Sequence, residues 1–295
     1  MLNDAHCHFF SSGLFRTLGK DAGVAGDAAV ELPAKLGWDA PGDDGALADR
    51  WIAAMDHDDV GRVMLIASVP GDEASVAAAV KRHPSRFVGA FMINPAAPDA
   101  EARAARAFGE LGLRTACLFP AMHLVRVDDE RTEKIFAAAE QHKANVFVHC
   151  GVLSVGVRRK LGLSSRFELR YGQPLDVQRF AVDFPTLPII VPHFGAGFFR
   201  EALMLAEACP NVVLDTSSTN GWVRYHPGLT LTDVFRTAMA VVGPDRLMFG
   251  TDSSFFPRGW QTPVYDSQRA ILEQLGTEDG FRASIFGGTF NRLFP

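Results

Sequence analysis

The 295-residue sequence has no apolar run of the 18 or so residues that a membrane span needs, so a membrane partner is not expected. Asn3, Asp4, His6 and His8 interrupt its first apolar residues, and a secretory leader is not expected either. Cysteine is scarce: Cys7, Cys117, Cys150 and Cys209 lie far apart and form no C-x-x-C pair. That spacing points to a reduced, cytoplasmic protein. There is no excess of positive charge. Lys and Arg total 29 against 34 Asp and Glu, a net charge of −5, which leaves little to coat a phosphate backbone and argues against a nucleic-acid partner. The 27 glycines and 17 prolines are only slightly above ordinary usage and exclude a low-complexity or collagen-like chain. No short period repeats, which excludes a solenoid. No G-x-S-x-G follows a strand, which removes the common serine-hydrolase signature.

What the chain does contain is an order. A short apolar run, a polar loop and a helical pattern recur along the whole length. The apolar runs predict strands over residues 2–8, 63–67, 87–93, 113–119, 146–150, 189–193, 212–215 and 247–250. Apolar residues at three- and four-residue spacing predict helices over 46–58, 73–82, 99–111, 128–143, 175–183, 198–209, 231–242 and 266–275. A last segment, 278–286, is expected to pack on the outside. Eight strands alternating with eight helices predict one closed (β/α)8 barrel, a single α/β domain over residues 1–295. An open doubly wound sheet is the competing arrangement. The long connections after strands one, five, seven and eight would all open on one face of a barrel, where function resides.

Polar residues end several of these apolar strands. Strand one reads L-N-D-A-H-C-H, and alternation sends His6 and His8 to one side and Cys7 to the other. Strand five ends at His149, strand six at His193, and strand eight runs into Asp252. Taken singly, each has an ordinary explanation as a hydrogen-bonded strand end or a turn cap. Four imidazoles and a carboxylate converging on one mouth instead suit a divalent metal: Zn²⁺, with Mn²⁺ and Fe²⁺ as alternatives.

This set resembles the amidohydrolase superfamily of metal-dependent barrels, whose pattern is H-x-H after strand one, His after strands five and six, and Asp after strand eight. Asp4, H-F-G-A-G at 193–197 and the ending I-F-G-G-T-F-N-R-L-F are similar to the branch containing aminocarboxymuconate semialdehyde decarboxylase and related aromatic-acid decarboxylases. Members with two metals carry Lys or Glu at the end of strand four. Here that strand reads R-T-A-C-L-F-P, so the resemblance implies one ion. It implies that His6, His8, His149 and Asp252 hold that ion, with Asp252 also a general base and His193 acting on water or substrate. It further implies pairing into a homodimer.

A metal lowers the pKa of its water to about 7, which gives hydrolysis with Asp252 as base and His193 as donor to the oxyanion. The same groups could instead protonate a carbon that loses CO₂. The expected function is therefore a metal-dependent hydrolase of a small carboxylated, cyclic or aromatic substrate, with a non-oxidative decarboxylase as the alternative. His123, Arg258 and Trp260 are candidate substrate contacts, Arg258 through a bidentate carboxylate pair. Arg158, Arg159, Asp215 and Trp222 are weaker candidates with structural explanations. I-I-V-P-H-F-G-A-G-F-F-R followed by V-V-L-D imitates a dinucleotide-binding unit, but Arg200 stands where its third glycine should be. A non-catalytic barrel is the remaining alternative.

Overall fold

The computed structural model describes residues 1–218 and 220–295, and in it eight parallel strands follow one another in chain order. They are β1 (Leu2–Phe9), β2 (Val60–Ala67), β3 (Phe87–Met92), β4 (Thr115–Leu118), β5 (Asn145–Val148), β6 (Ile189–Val191), β7 (Val212–Asp215) and β8 (Leu247–Met248). The order never reverses, so there is no switch point of the doubly wound kind, and the arrangement is a nearly closed (β/α)8 barrel. Met64, Ile66, Val88, Phe147, Ile190 and Met248 point inward, while Val63, Leu65, Val146 and Val148 face the surrounding helices. Burial on both faces is why these strands read as unbroken apolar runs.

The helices Glu73–Arg82 and Leu231–Val242 occupy the expected spans. A reciprocal pair of hydrogen bonds between Thr230 and Asp233 starts the second of these. The first long connection is not open loop. It contains the helices Ser12–Ala22 and Ala28–Leu36, begun by the Ser11 and Asp27 side chains and ended by Gly23 and Gly37 at positive φ. Leu14, Phe15, Leu18 and Leu32 from these helices pack with Val157 of the helix Gly156–Lys160, binding the first and fifth connections together. Ile285 and Phe286 join the outer layer, as expected of the segment 278–286. The chain then runs on beneath the barrel, where Phe290, Leu293 and Phe294 fill its interior floor.

The barrel closes between β1 and the residues after β8. Ala5 N–H donates to Phe249 O at 2.9 Å, Asp252 N–H to His6 O at 2.8 Å, and His8 N–H to Ser253 O at 2.7 Å. Across that seam lies Asp4, fully buried and in no salt bridge among the described residues. One carboxylate oxygen accepts the N–H groups of His6 (2.9 Å) and Thr251 (3.1 Å). The other accepts the Thr251 hydroxyl (2.5 Å), the Trp260 indole N–H (2.7 Å) and the Cys7 thiol (3.3 Å). Burial raises the Asp4 pKa, and these donors oppose the rise.

A register shift makes this possible. Asp4 pairs with Val63 and Cys7 with Leu65, so β1 spends three steps where β2 spends two. Such a bulge re-aims side chains. Asp4 faces the outer layer, whereas His6 and His8 face the mouth. Trp260→Phe removes one donor to a buried carboxylate and leaves a smaller ring in its place. A loss of about 1.5–3 kcal/mol of stability is expected, read as a lower urea midpoint with an unchanged slope.

Candidate metal centre

His6, His8 and Asp252 each offer a ligand atom, and the three atoms lie within 4.8 Å of one another. His8 Nε2 is 3.2 Å and His6 Nε2 is 3.8 Å from Asp252 Oδ1. The hydrogen bonds on the far sides of the rings decide which nitrogens are free. His6 Nδ1 donates to Asp215 Oδ2 at 2.6 Å. The Ser68 hydroxyl gives its own proton to Ile66 O (3.1 Å), so at 2.8 Å it must accept from His8 Nδ1. Both rings therefore keep a proton on Nδ1 and turn Nε2, the nitrogen an ion can take, toward Asp252. Holding a ligand imidazole by its other nitrogen is the usual way a protein fixes its tautomer and direction.

Three ligand atoms converging this closely form a site that a cation can occupy. Burial would lower the His6 pKa, but Asp215 at Nδ1 and Asp252 beyond Nε2 raise it to about 9. Burial would raise the Asp252 carboxyl, but the His8 hydrogen bond and the charges of His6 and His8 hold it well below the usual carboxylate range. The donor set, two imidazoles and a carboxylate, fits Zn²⁺, Mn²⁺ or Fe²⁺.

His149 and His193 stand beside this group but outside it. The His193 ring lies 5.0 Å from that of His6 and 5.3 Å from that of His149. His149 Nδ1 is buried without a hydrogen-bond partner, and the ring stacks on Phe119 at 5.3 Å. Burial and the neighbouring imidazoles hold His149 far below its ordinary pKa, and burial with the His6 charge lowers His193. Both are neutral imidazoles at pH 7.

The backbone here is strained. His193, Phe194 and Ala196 have φ of 54°, 52° and 43°, and Asp252 has φ of 59°. Each such residue costs about 1–3 kcal/mol, and such conformations cluster at functional sites. Pro192, which has no N–H for the ladder, and the turn at His193 end β6 two residues earlier than the apolar run predicts. A Cβ on Gly151 would lie 2.3 Å from the carbonyl oxygens of Gly195 and Ala196, so glycine there lets the fifth and sixth strand ends approach. The G-A-G sequence serves this tight turn rather than a dinucleotide.

The other expected contacts divide. Arg258 sits at the rim, donating to Asp252 O (3.3 Å) and Ser254 Oγ (2.7 Å), its guanidinium 4.5 Å from the Phe255 ring. Trp260 requires a correction: it is buried in the outer layer with its N–H on Asp4, so it has no donor left for a substrate. His123 stands behind Phe119, 6.5 Å from that ring, and burial pushes its pKa down to about 4. Arg158 pairs with Asp21, and the Trp222 N–H donates to Asn220. Asp215 is neither a helix cap nor a pocket wall but the partner of His6. Ser68 and Ser217, next to no motif, are site residues that sequence reasoning missed.

With His6 raised to about 9, an ion taking its Nε2 at pH 7 must displace a proton. Titration of zinc into ion-free protein, in buffers of different ionisation enthalpy, is expected to release about one proton per ion at pH 7. Affinity should strengthen with pH and level off near pH 9, because protonated His6 competes with the ion below its pKa.

Comparison with known proteins agrees with the barrel. The amidohydrolase family model matches residues 3–295. No curated protein matches the sequence. Among solved structures, a 5-carboxyvanillate decarboxylase from Sphingomonas paucimobilis is similar over 99% of this chain and 98% of its own, at 17% identity and a TM-score of 0.65. An amidohydrolase from Burkholderia multivorans with bound zinc is similar over 99% and 98%, at 19% identity and 0.66. A probable 2-pyrone-4,6-dicarboxylic acid hydrolase from Acinetobacter baumannii is similar over 99% and 98%, at 12% identity and 0.60. With the family model matched from Asn3 to the last residue, the chain belongs to the amidohydrolase family.

Proposed function

We propose that the protein is a metal-dependent hydrolase of a small carboxylated, cyclic or aromatic substrate. The observation that carries this reading is the convergence of His6 Nε2, His8 Nε2 and Asp252 Oδ1, with the neutral His193 ring beside them. His6, His8 and Asp252 would hold one divalent ion, with His149 as a fourth ligand. A bound ion supplies Lewis-acid polarisation of a carbonyl and brings the pKa of water to about 7.

Each residue then has a distinct task. Asp252 is ionised and receives the proton of the attacking water. His193 donates a hydrogen bond to the oxygen that gains charge as water adds. Both are held on strained backbone at strand ends, which fixes their direction. Arg258, at the rim next to Asp252, offers its remaining donors to a substrate carboxylate. His6, at 1% exposure, and His193, at 3%, leave little room for bulk water beside the reacting atoms.

Decarboxylation is a second reading, favoured by the likeness to the carboxyvanillate decarboxylase fold. In it the ring carbon takes a proton from water, relayed through Asp252, as the C–C bond to its carboxylate breaks and CO₂ leaves, and His193 would hydrogen-bond the substrate.

The two readings separate in one experiment. Zinc- or manganese-loaded protein is offered lactones, amides and aromatic carboxylates in ¹⁸O-labelled water. Hydrolysis is expected to place label in the product acid without release of CO₂. Release of CO₂ with no label in the organic product would establish the second reading. In either case His193→Ala should keep its ion and lose about 10²–10⁴-fold in turnover, whereas His6→Ala should lose the ion. Loss of the ion from His193→Ala would show that His193 is a ligand.

A further inference from the structure

Ser217 lies two residues beyond β7 and joins the two imidazoles at the centre of the mouth. Its backbone N–H donates to Asp215 Oδ1 at 2.6 Å. Its hydroxyl stands 3.0 Å from His6 Nδ1 and 2.9 Å from His193 Nδ1. Those are its only hydrogen-bond neighbours among the described residues, and all four residues are buried.

A hydroxyl has one proton to give. His6 Nδ1 cannot receive it. That nitrogen lies 2.6 Å from Asp215 Oδ2, and two lone pairs at that distance would repel, so the proton belongs on Nδ1. This holds whether His6 is an imidazolium or an imidazole with Nε2 given to an ion. Among the described residues, His193 Nδ1 is the one acceptor left. The opposite arrangement has His193 Nδ1 donating to the hydroxyl or to Ser217 O, which is 3.5 Å away. It would bury the hydroxyl proton with no acceptor, which folded proteins avoid.

We infer that Ser217 donates its hydroxyl proton to His193 Nδ1 and so holds His193 as the tautomer that carries hydrogen on Nε2. Ser217 is thereby a positioning residue, and the inference deepens the reading of His193 as a hydrogen donor to the substrate. Two adjacent imidazoles receive opposite proton arrangements from their partners. The Asp215 carboxylate keeps a proton on His6 Nδ1 and so leaves Nε2 as the nitrogen that an ion can take. The Ser217 hydroxyl leaves His193 with an N–H, the form a donor needs. His193 Nε2 makes no hydrogen bond among the described residues, so that N–H is available to an occupant of the mouth.

Gly250 makes room for the arrangement. A Cβ there would come within 2.7 Å of His6 Cβ and 3.0 Å of both Asp215 Oδ1 and Ser217 Cβ. No side chain fits between strand eight and this network.

The test is ¹⁵N NMR of histidine-labelled full-length protein at pH 8, ion-free and with one equivalent of zinc, with the His193 resonances assigned through His193→Asn. The wild type should show a protonated Nε2 and an unprotonated Nδ1 at His193 in both states. Ser217→Ala should exchange the two shifts, because among the described residues the neighbour then left to Nδ1 is the backbone carbonyl of residue 217. Ser217→Thr, which keeps the hydroxyl, should restore the wild-type pattern. A wild-type His193 with hydrogen on Nδ1 overturns the inference, and that outcome does not depend on the Ser217 variants. So does a Ser217→Ala spectrum identical to the wild type. A wild-type Nε2–H pattern together with full turnover in His193→Ala would uphold the role of Ser217 and overturn only the catalytic use of His193.

Discussion

A single buried carboxylate ties the structure to its site. Asp4 forms no salt bridge among the described residues, and five donors from strand one and the strand-eight connection take the place of one. Each of these donors comes from one side or the other of the seam where the barrel closes. Without Asp4, the N–H groups of His6 and Thr251 and the Trp260 indole would be buried and unpaired, a large cost in a low-dielectric interior. The same seam carries His6 and His8 on one side and Asp252 on the other. Closing the barrel and assembling the three converging donors are therefore one event.

The site is built by partners more than by ligands. His6, His8 and His193 are chemically identical, and what separates their tasks is what touches the far nitrogen: Asp215, Ser68 and Ser217 in turn. Strand geometry supplies the rest. The bulge after Asp4 turns His6 and His8 inward, and positive φ at His193 and Asp252 carries those side chains over the mouth. The strain at these two positions is held in place by packing around Gly151 and Gly250, where any side chain would collide with the neighbouring strand end.

Much of this was legible in the sequence, for definite reasons. Strands buried on both faces must be short apolar runs, so all eight were visible, and so were the polar residues that break the pattern at their ends. The two helices of the first connection were missed although Ser11, Asp27, Gly23 and Gly37 mark their ends, because two glycines interrupt the first and Pro33 interrupts the second. Trp260 sits in a loop rich in aromatic and polar residues, which reads as a pocket wall; only the fold reveals a buried carboxylate waiting for its N–H. Ser68 and Ser217 carry no sequence signal, since a serine acquires a role here only through the imidazole that the barrel places beside it. Strand eight was expected to be longer because its apolar run continues, but Phe249 spends its hydrogen bonds on Ala5 and Ile285.

The central claim is that the mouth is a single-ion centre assembled by the closing seam. Elemental analysis of protein purified without added metal and without nickel affinity tests it most directly. About one zinc, manganese or iron per chain, lost in His8→Ala, is the expected result. Two ions per chain, or none even after incubation with zinc, would contradict it.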